Sequence, residues 1–259
     1  MTLTPKELRR YDRHIILENI GIKGQEKLKS AKVLVVGAGG LGTPVLQYLS
    51  AAGVGTIGIV DKDLVEESNL QRQTIYTDKD VGKLKTVTTR NKIREQNKNV
   101  TVNIYNIYVT KKTALKILSD YDIIVDCTDN IEARYVINDA CIILNKPWVY
   151  GSVYKFEGQV SVFNYKKQAT YRCLYPEQEK KVPKASTVGI FGVLPGIIGT
   201  IQASEVIKII TGIGEVLSGK VLVYNLLKHS IHKYQLKREE KNFEIDELID
   251  YEEYCKPSI

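Results

Sequence analysis

The sequence predicts an α/β fold: a mainly parallel sheet with helices on both faces, extended by antiparallel strands in the C-terminal half. Three observations carry this reading. Val33-Leu34-Val35-Val36 runs directly into Gly37-Ala38-Gly39-Gly40-Leu41-Gly42 and then into a helical pattern. Apolar runs of strand length alternate with helical stretches up to about residue 147, and that alternation calls for crossovers and parallel pairing. Beyond Trp148 the rhythm changes to consecutive strands, which implies antiparallel neighbours.

Taken in order, Leu8, Tyr11, Ile15 and Ile16 lie at helical spacing between Thr4 and Leu17, with Thr4-Pro5 as cap and first turn. A short second helix is expected from Gln25 to Ser30. After the first strand and its glycine turn, Thr43 to Ala52 reads as a helix stopped by Gly53-Val54-Gly55. Ile57-Gly58-Ile59-Val60 forms the second strand and ends at Asp61. Gly82 to Asn97 reads as a polar helix, Val100 to Tyr105 as a strand and Lys111 to Ser119 as a helix. Ile123 to Asp126 is a strand running into Cys127-Thr128-Asp129-Asn130. Trp148 to Tyr154 and Gln159 to Tyr165 are strands joined by a Phe156-Glu157-Gly158 turn. Lys166 to Thr187 is a polar, proline-bearing connection of the kind that carries function or disorder. An apolar helix follows from Gly189 to Thr211, with Pro195-Gly196 near its start, then strands at Gly219 to Asn225 and Ser230 to Leu236. From Glu239 the tail is acidic with interleaved Phe243, Ile245, Leu248 and Ile249, and is expected to fold back as a helix.

Composition narrows the class. With 259 residues, 43% hydrophobic and 26% charged, the chain can bury a large core and fits one domain with an appendage. No apolar run is expected to approach the roughly 20 residues of a membrane span, and Met1 to Arg13 is charged and amphipathic, unlike a signal peptide. The expected location is the cytoplasm. Four cysteines, Cys127, Cys141, Cys173 and Cys255, lie far apart without a C-x-x-C pair, which argues against a disulfide framework and against a complete cysteine zinc site. The net charge of +7 is spread among many acids, so it reads as a mildly basic solvated surface. The 16 tyrosines show no regular spacing on a basic helix, and nucleic-acid readout is not expected. Lys180-Lys181-Val182-Pro183-Lys184 follows Glu177 and Glu179 and reads as a solvated loop.

A strand feeding G-x-G-x-x-G sets backbone N–H groups at the start of a helix, where free donors and the helix dipole favour a phosphate. Asp61, about twenty residues on, is placed to bond ribose hydroxyls. Ligands bind beyond the carboxyl ends of parallel strands, so Gly37 to Gly42, Asp61 to Asp63 and Asp126 to Asn130 are expected to meet at one edge of a Rossmann-like sheet. Ser68-Asn69-Leu70-Gln71-Arg72-Gln73 and Gly82-Lys83-Leu84-Lys85 supply what a dehydrogenase has no evident use for. Arg72 and Lys85 can neutralise charge on a triphosphate, and Asp129 can hold the accompanying Mg2+. The plain alternative makes Arg72 and Lys85 surface charges and Asp129 the cap of a helix starting near Asn130; common placement after successive strands favours the nucleotide reading.

R-Y-D-R-H (Arg10 to His14), G-A-G-G-L-G, D-K-D, S-N-L-Q-R-Q, D-C-T-D-N and Y-R-C-L-Y-P occur in that order. Together they resemble the MoeB/ThiF/HesA family, bacterial relatives of the ubiquitin-activating enzymes, from about Arg10 to about Leu236. The resemblance implies ATP-dependent adenylation of the C-terminal Gly-Gly carboxylate of a ubiquitin-like sulfur carrier protein of the MoaD or ThiS kind, with release of pyrophosphate, for molybdopterin or thiamine biosynthesis. Attack of a carboxylate on the α-phosphorus needs positioning and charge neutralisation rather than a general base. By motif, Gly37, Gly39, Gly40 and Gly42 approach the phosphates, Asp61 binds the ribose with Asp63 beside it, and Ser68, Asn69, Arg72 and Gln73 line the site. Lys85 stabilises the transition state, and Asp129 serves magnesium with Asn130 nearby. The family arginine matching Arg13 reaches the triphosphate from the other subunit, which implies a homodimer. The resulting organisation is one adenylation domain over 1–238, made of N-terminal helices (4–30), a nucleotide-binding part (31–147) and an antiparallel extension with its crossover loop (148–238), followed by the acidic tail at 239–259.

Two departures from the family stand out. Many members hold a structural zinc with two C-x-x-C pairs; here the first reads Thr170-Tyr171-Arg172-Cys173 and the end offers only Cys255. Two lone cysteines are too few for tetrahedral zinc, and His14, His229 and His232 sit in other patterns, so no zinc is expected and the tail's apolar residues are expected to replace that staple by packing. The family's sulfur-handling cysteine aligns with Ala185, which cannot be a nucleophile. That leaves adenylation alone with a separate sulfurtransferase, an engineered Cys→Ala replacement, or a different alignment across Lys180 to Thr187. Cys173 reads as a bystander to the sulfur chemistry. The competing functions are a tRNA threonylcarbamoyladenosine dehydratase-like enzyme, a non-catalytic module binding a ubiquitin-like protein and, last, an NAD-dependent oxidoreductase.

Overall fold

A computed structural model describes residues 1–176 and 189–251. Ala185, Cys255 and most of the 166–187 connection's second half lie outside the described residues. The elements are α1 (Pro5–Arg10), α2 (Asp12–Ile15), α3 (Gly21–Ser30), β1 (Lys32–Val36), α4 (Gly42–Ala52), β2 (Thr56–Val60), α5 (Lys85–Gln96), β3 (Thr101–Tyr105), α6 (Ala114–Leu118) and β4 (Ile123–Asp126). They continue with α7 (Ile131–Ile143), β5 (Trp148–Tyr154), β6 (Glu157–Phe163), α8 (Tyr171–Leu174), α9 (Val193–Thr211), β7 (Lys220–Asn225) and β8 (Ser230–Gln235). The eight strands among the described residues form one sheet in the order β3-β2-β1-β4-β5-β6-β7-β8. Pairing is parallel from β3 to β5 and antiparallel from β5 to β8.

Alternate side chains of each strand serve opposite faces. Val33, Val35, Ile57, Ile59 and Val125 join Leu28 of α3, Leu46 and Leu49 of α4, Ile93 of α5 and Ile198 of α9 in one core. Leu34, Val36, Val60 and Ile124 turn to the other, where α6, α7 and the aromatic group Trp148, Tyr150, Phe163 and Tyr171 pack. Trp148 is fully buried, as core packing requires.

Several boundaries differ from the expected ones. The N-terminal helix breaks at Tyr11 into α1 and α2, although Thr4 caps it as anticipated, in a reciprocal capping box with Glu7. α3 starts at Gly21, four residues before Gln25, because the chain at Ile20 already has helical backbone angles. The polar helix starts at Lys85 rather than Gly82, since Leu84 forms an antiparallel bridge with Leu64. The β5–β6 turn is Lys155-Phe156 rather than Phe156-Glu157-Gly158. Lys155 takes the left-handed conformation there, while Gly158 lies inside β6, where any Cβ would meet Ile198 Cδ1 at 2.3 Å.

Two larger corrections concern α9 and the tail. At 19 residues and mean hydropathy 1.5, α9 does reach membrane-spanning length and apolarity, contrary to the expectation that no run would. It packs on α4, β5 and β6, and the fully buried Gln202 donates to the Asp126 carbonyl at 2.7 Å and the Val149 carbonyl at 3.3 Å, so it is the core helix of the sheet. The tail returns to the protein, but over the described stretch from Glu239 to Asp250 it does so with a 3-10 turn at Glu240–Phe243 and no α-helix. Leu248 and Tyr251 are buried in the aromatic core. Polar contacts complete the attachment: Asn242 Nδ2 donates to Cys173 Sγ at 3.3 Å, and the Tyr251 hydroxyl donates to Asp139.

Candidate active site

The carboxyl ends of β1, β2 and β4 bring together the segments that the sequence placed there. Gly37 N donates to the Val60 carbonyl at 2.8 Å, and Cys127 N to the Val36 carbonyl at 2.8 Å, so the three strand ends are tied in register. Two glycines of the turn are sterically obligatory. Gly37 has φ +96° and a Cβ there would sit 2.6 Å from the Cys127 carbonyl oxygen; a Cβ on Gly42 would lie 2.0 Å from the Gly37 carbonyl oxygen. The turn thus closes on itself and leads into α4. Among the described residues, the N–H groups of Gly39, Gly40 and Leu41 donate to no backbone carbonyl, leaving donors at the helix start for an anion.

Asp61 is turned inward onto this turn. Its Oδ2 accepts from Ala38 N at 2.7 Å and its Oδ1 from Asp63 N at 2.7 Å. Burial pushes its carboxyl above the ordinary value, against the lowering effects of those N–H groups and of Lys85. Lone pairs remain on both oxygens for further donors such as ribose hydroxyls.

Lys85, the first residue of α5, is 6% exposed and its Nζ lies 3.0 Å from Asp63 Oδ2. The Leu64–Leu84 bridge explains the meeting, and Lys85 N also donates to the Asp63 carbonyl at 3.0 Å. A cation in the first turn of a helix opposes the helix dipole, and the Asp63 carboxylate beside Lys85 offsets that cost.

Arg72 lies against the turn, with Cγ 3.6 Å from the Cβ position of Gly40, and its Nη1 donates to the Ser68 carbonyl at 3.0 Å. Asn69 is buried and caps the short turn before Arg72, accepting from Glu66 N at 3.2 Å, while Ser68 is exposed and its Oγ donates to Glu66 at 3.3 Å. Gln73 is buried with Nε2 3.6 Å from the Cβ position of Gly39, and its Oε1 finds no partner among the described residues. Pro195 of α9 lies 3.0 Å from the Cβ position of Gly40, so the α9 start forms the opposite wall.

On the β4 side, Asn130 rather than Asp129 caps α7, accepting from Ala133 N at 3.1 Å. That corrects the plain reading of Asp129 and leaves its carboxylate exposed and free of capping. Beneath it, Arg134 Nη2 donates to the Thr128 carbonyl at 2.8 Å and the Asp126 carboxylate accepts from Thr128 N and Oγ1, which shapes the loop. One exposed carboxylate suits magnesium, which takes one or two protein carboxylates and fills its other positions with water and phosphate oxygens. No group of three or more His, Cys, Asp or Glu among the described residues is placed to hold a metal by itself.

Arg13 is not brought to this site. It is exposed on α2, next to Tyr11, which packs on Gly53 and whose hydroxyl accepts from Asn97 Nδ2 at 2.9 Å, at the amino ends of the strands. The eleven residues of α4 separate that end from the glycine turn, about 16 Å. Two residues not singled out in the sequence do belong here: Tyr76 donates to the Ala38 carbonyl at 2.8 Å and lies 2.9 Å from Thr89 Oγ1 of α5. No short motif marks them, because their contact depends on how α5 packs. Cys127 and Cys141 are buried and their thiols pushed up by it. Cys173 is also pushed up by burial, but hydrogen bonds from Thr170 and Asn242 outweigh this and hold it below the usual thiol value.

The pattern of the ThiF family matches residues 11–245. A sulfur carrier protein adenylyltransferase of Thermus thermophilus is 44% identical, with 98% of this chain and 99% of that protein aligned. A probable adenylyltransferase/sulfurtransferase MoeZ of Mycobacterium tuberculosis is also 44% identical, but this chain spans only 66% of its length. A probable molybdopterin-synthase adenylyltransferase of Porphyra purpurea is 47% identical, with 91% of this chain and 62% of that protein aligned. Among solved structures, Escherichia coli MccB with ATP superposes with a TM-score of 0.79 at 26% identity, covering 89% of this chain and 72% of that one.

Proposed function

The chain belongs to the ThiF family, and from that membership we propose that it adenylates the C-terminal glycine of a ubiquitin-like sulfur carrier protein at the expense of ATP. The observation that carries the reading is the convergence of unbonded turn N–H groups, Asp61, Arg72 and Lys85 on one edge, with Asp129 exposed in the loop that follows β4 at that edge. The relatives named as adenylyltransferases support the reaction class, and the likeness to MccB with ATP supports the nucleotide.

In this reading, Asp61 receives the ribose hydroxyls and the N–H groups of Gly39 and Gly40 receive phosphate oxygens. A carrier carboxylate oxygen bonds to the α-phosphorus while the bond from that phosphorus to the bridging oxygen breaks, and pyrophosphate leaves with the electron pair. Arg72 and Lys85 neutralise the charge that grows on the phosphates. Asp129 would hold a magnesium arriving with ATP, which supplies further neutralisation of the triphosphate. Lys85 must leave Asp63 to do this, and that pair is open to solvent on its Asp63 side.

Arg13 stands at the far end of its own sheet, which supports its use by a second copy of the chain and hence a homodimer. Sulfur transfer to the adenylate is assigned to a separate sulfurtransferase, since Ala185 offers no thiol. The test is ATP–pyrophosphate exchange with purified MoaD- or ThiS-like carrier ending in Gly-Gly. Exchange that needs the carrier, and that Arg72→Ala or Asp129→Ala abolishes, is the expected result; ATP binding without exchange for any carrier would overturn the reading in favour of a binding module.

A further inference from the structure

Beneath the glycine turn, Tyr76 makes two contacts that the adenylation reading does not use. It is 5% exposed and packs with Val65 and Ile75 in a small core of its own, so it touches no ligand directly. Its hydroxyl lies 2.8 Å from the Ala38 carbonyl and 2.9 Å from Thr89 Oγ1. A carbonyl only accepts, so the single phenolic proton is committed to Ala38 and the Thr89 hydroxyl must donate to Tyr76. The chain is therefore directional: Thr89 to Tyr76 to Ala38.

Both ends of this chain lead to groups that handle phosphate. The Ala38 carbonyl belongs to the Ala38–Gly39 peptide, which is planar and trans, so fixing the oxygen fixes the Gly39 N–H on the opposite side. Asp61 holds the Ala38 N–H from the other direction at 2.7 Å, and between them Ala38 is clamped at both its polar atoms. Thr89 is fully buried and four residues after Lys85 on α5, which puts both on one face of that helix.

We propose that Tyr76 is a positioning residue for nucleotidyl transfer: its hydroxyl orients the Gly39 amide and, through Thr89, keeps that amide in register with Lys85. The proposal rests on the adenylation reading and adds a residue to it. Burial raises the phenol's pKa, so the donor keeps its proton throughout the pH range in which the enzyme would be assayed. The two phosphate-binding elements, the β1–α4 turn and α5, come from different crossovers, and this buried hydroxyl pair bridges them with hydrogen bonds.

The measurement is kcat and KM for ATP in carrier-dependent pyrophosphate exchange, together with thermal unfolding. The parent enzyme is assayed first, because absence of exchange there would refute the adenylation reading and not this one. Tyr76→Phe keeps the ring and removes the hydroxyl; the expected result is a fall in kcat of roughly 10- to 100-fold, the size that small misplacements of catalytic groups cause, with KM for ATP changed less than about threefold. Thr89→Val should lower kcat in the same direction, and Thr89→Ser, which restores the hydroxyl, should recover it. The proposal is overturned if Tyr76→Phe and Thr89→Val keep kcat within about twofold of the parent, or if Thr89→Ser loses as much as Thr89→Val. Should Tyr76→Phe fail to fold, the Thr89 pair decides by itself.

Discussion

Helix α7 borders two clusters of polar side chains that are completed differently. At its N-terminal end, Asp129 is exposed, Gln73 Oε1 lacks a partner among the described residues, and Lys85 rests on a half-exposed Asp63. In its middle, Asp139 is 2% exposed and accepts from Arg172 Nε at 2.9 Å, Arg172 Nη2 at 2.7 Å, Asn138 Nδ2 at 2.8 Å and the Tyr251 hydroxyl. The same residue types make both. A saturated network leaves nothing for a ligand and specifies packing, whereas one left partly open at a strand edge specifies binding. Density of charge alone would not have separated them.

The sharpest way to break this comparison is at Asp139. Asp139→Ala leaves the Arg172 guanidinium without its carboxylate and unties Tyr251, and should cost about 3–5 kcal/mol of stability, read by denaturant unfolding, with early proteolytic cleavage beyond residue 239. Exchange per folded molecule should persist at low temperature. An unchanged midpoint would show that the cluster does not hold the tail. Lys85→Ala should do the reverse. Exchange should fall about 10²- to 10³-fold, the usual loss for one charge-stabilising donor, while the unfolding midpoint stays level or rises because a cation leaves a helix N-terminus. A large drop in stability would place Lys85 with the structural group.

A finer test uses the sign of the Asp61 shift. Its pKa is raised on folding, so its ionisation favours the unfolded state. The stability it contributes is fully present below the ordinary value of 3.8 and is lost as pH rises through the folded value. Asp61→Asn, which cannot ionise, should therefore gain on the parent in unfolding midpoint as pH rises above 3.8. An Asp61→Asn midpoint that falls relative to the parent's over that window would contradict the assigned burial effect. This is the smallest of the three effects, since only one partly solvated group titrates.

Much of this was legible because it is local. The strand–glycine–helix unit, the acid closing β2 and the D-C-T-D-N loop each fit within a short window, and parallel pairing puts them together without further information. What stayed hidden was tertiary. Gly158 marked a turn in sequence, yet the space it saves is taken by Ile198 from another element. Tyr76 looks like any aromatic after an apolar residue until α5 sets Thr89 beside it. The tail read as an amphipathic helix, but its anchoring points, Asp139 and Cys173, lie far back in the chain. The Asn130 cap was decided by one residue's backbone angles, at a precision sequence patterns do not reach.

The place of Arg13 at the amino ends of the strands carries one more consequence. If each triphosphate is met by Lys85 of one chain and by Arg13 of another, the site is shared property, and two dead chains can repair each other. An equal mixture of Arg13→Ala and Lys85→Ala chains, exchanged to equilibrium, gives mixed dimers in about half of cases, each with one intact site of two, and so recovers about a quarter of the parent's activity. A chain that served itself would recover none.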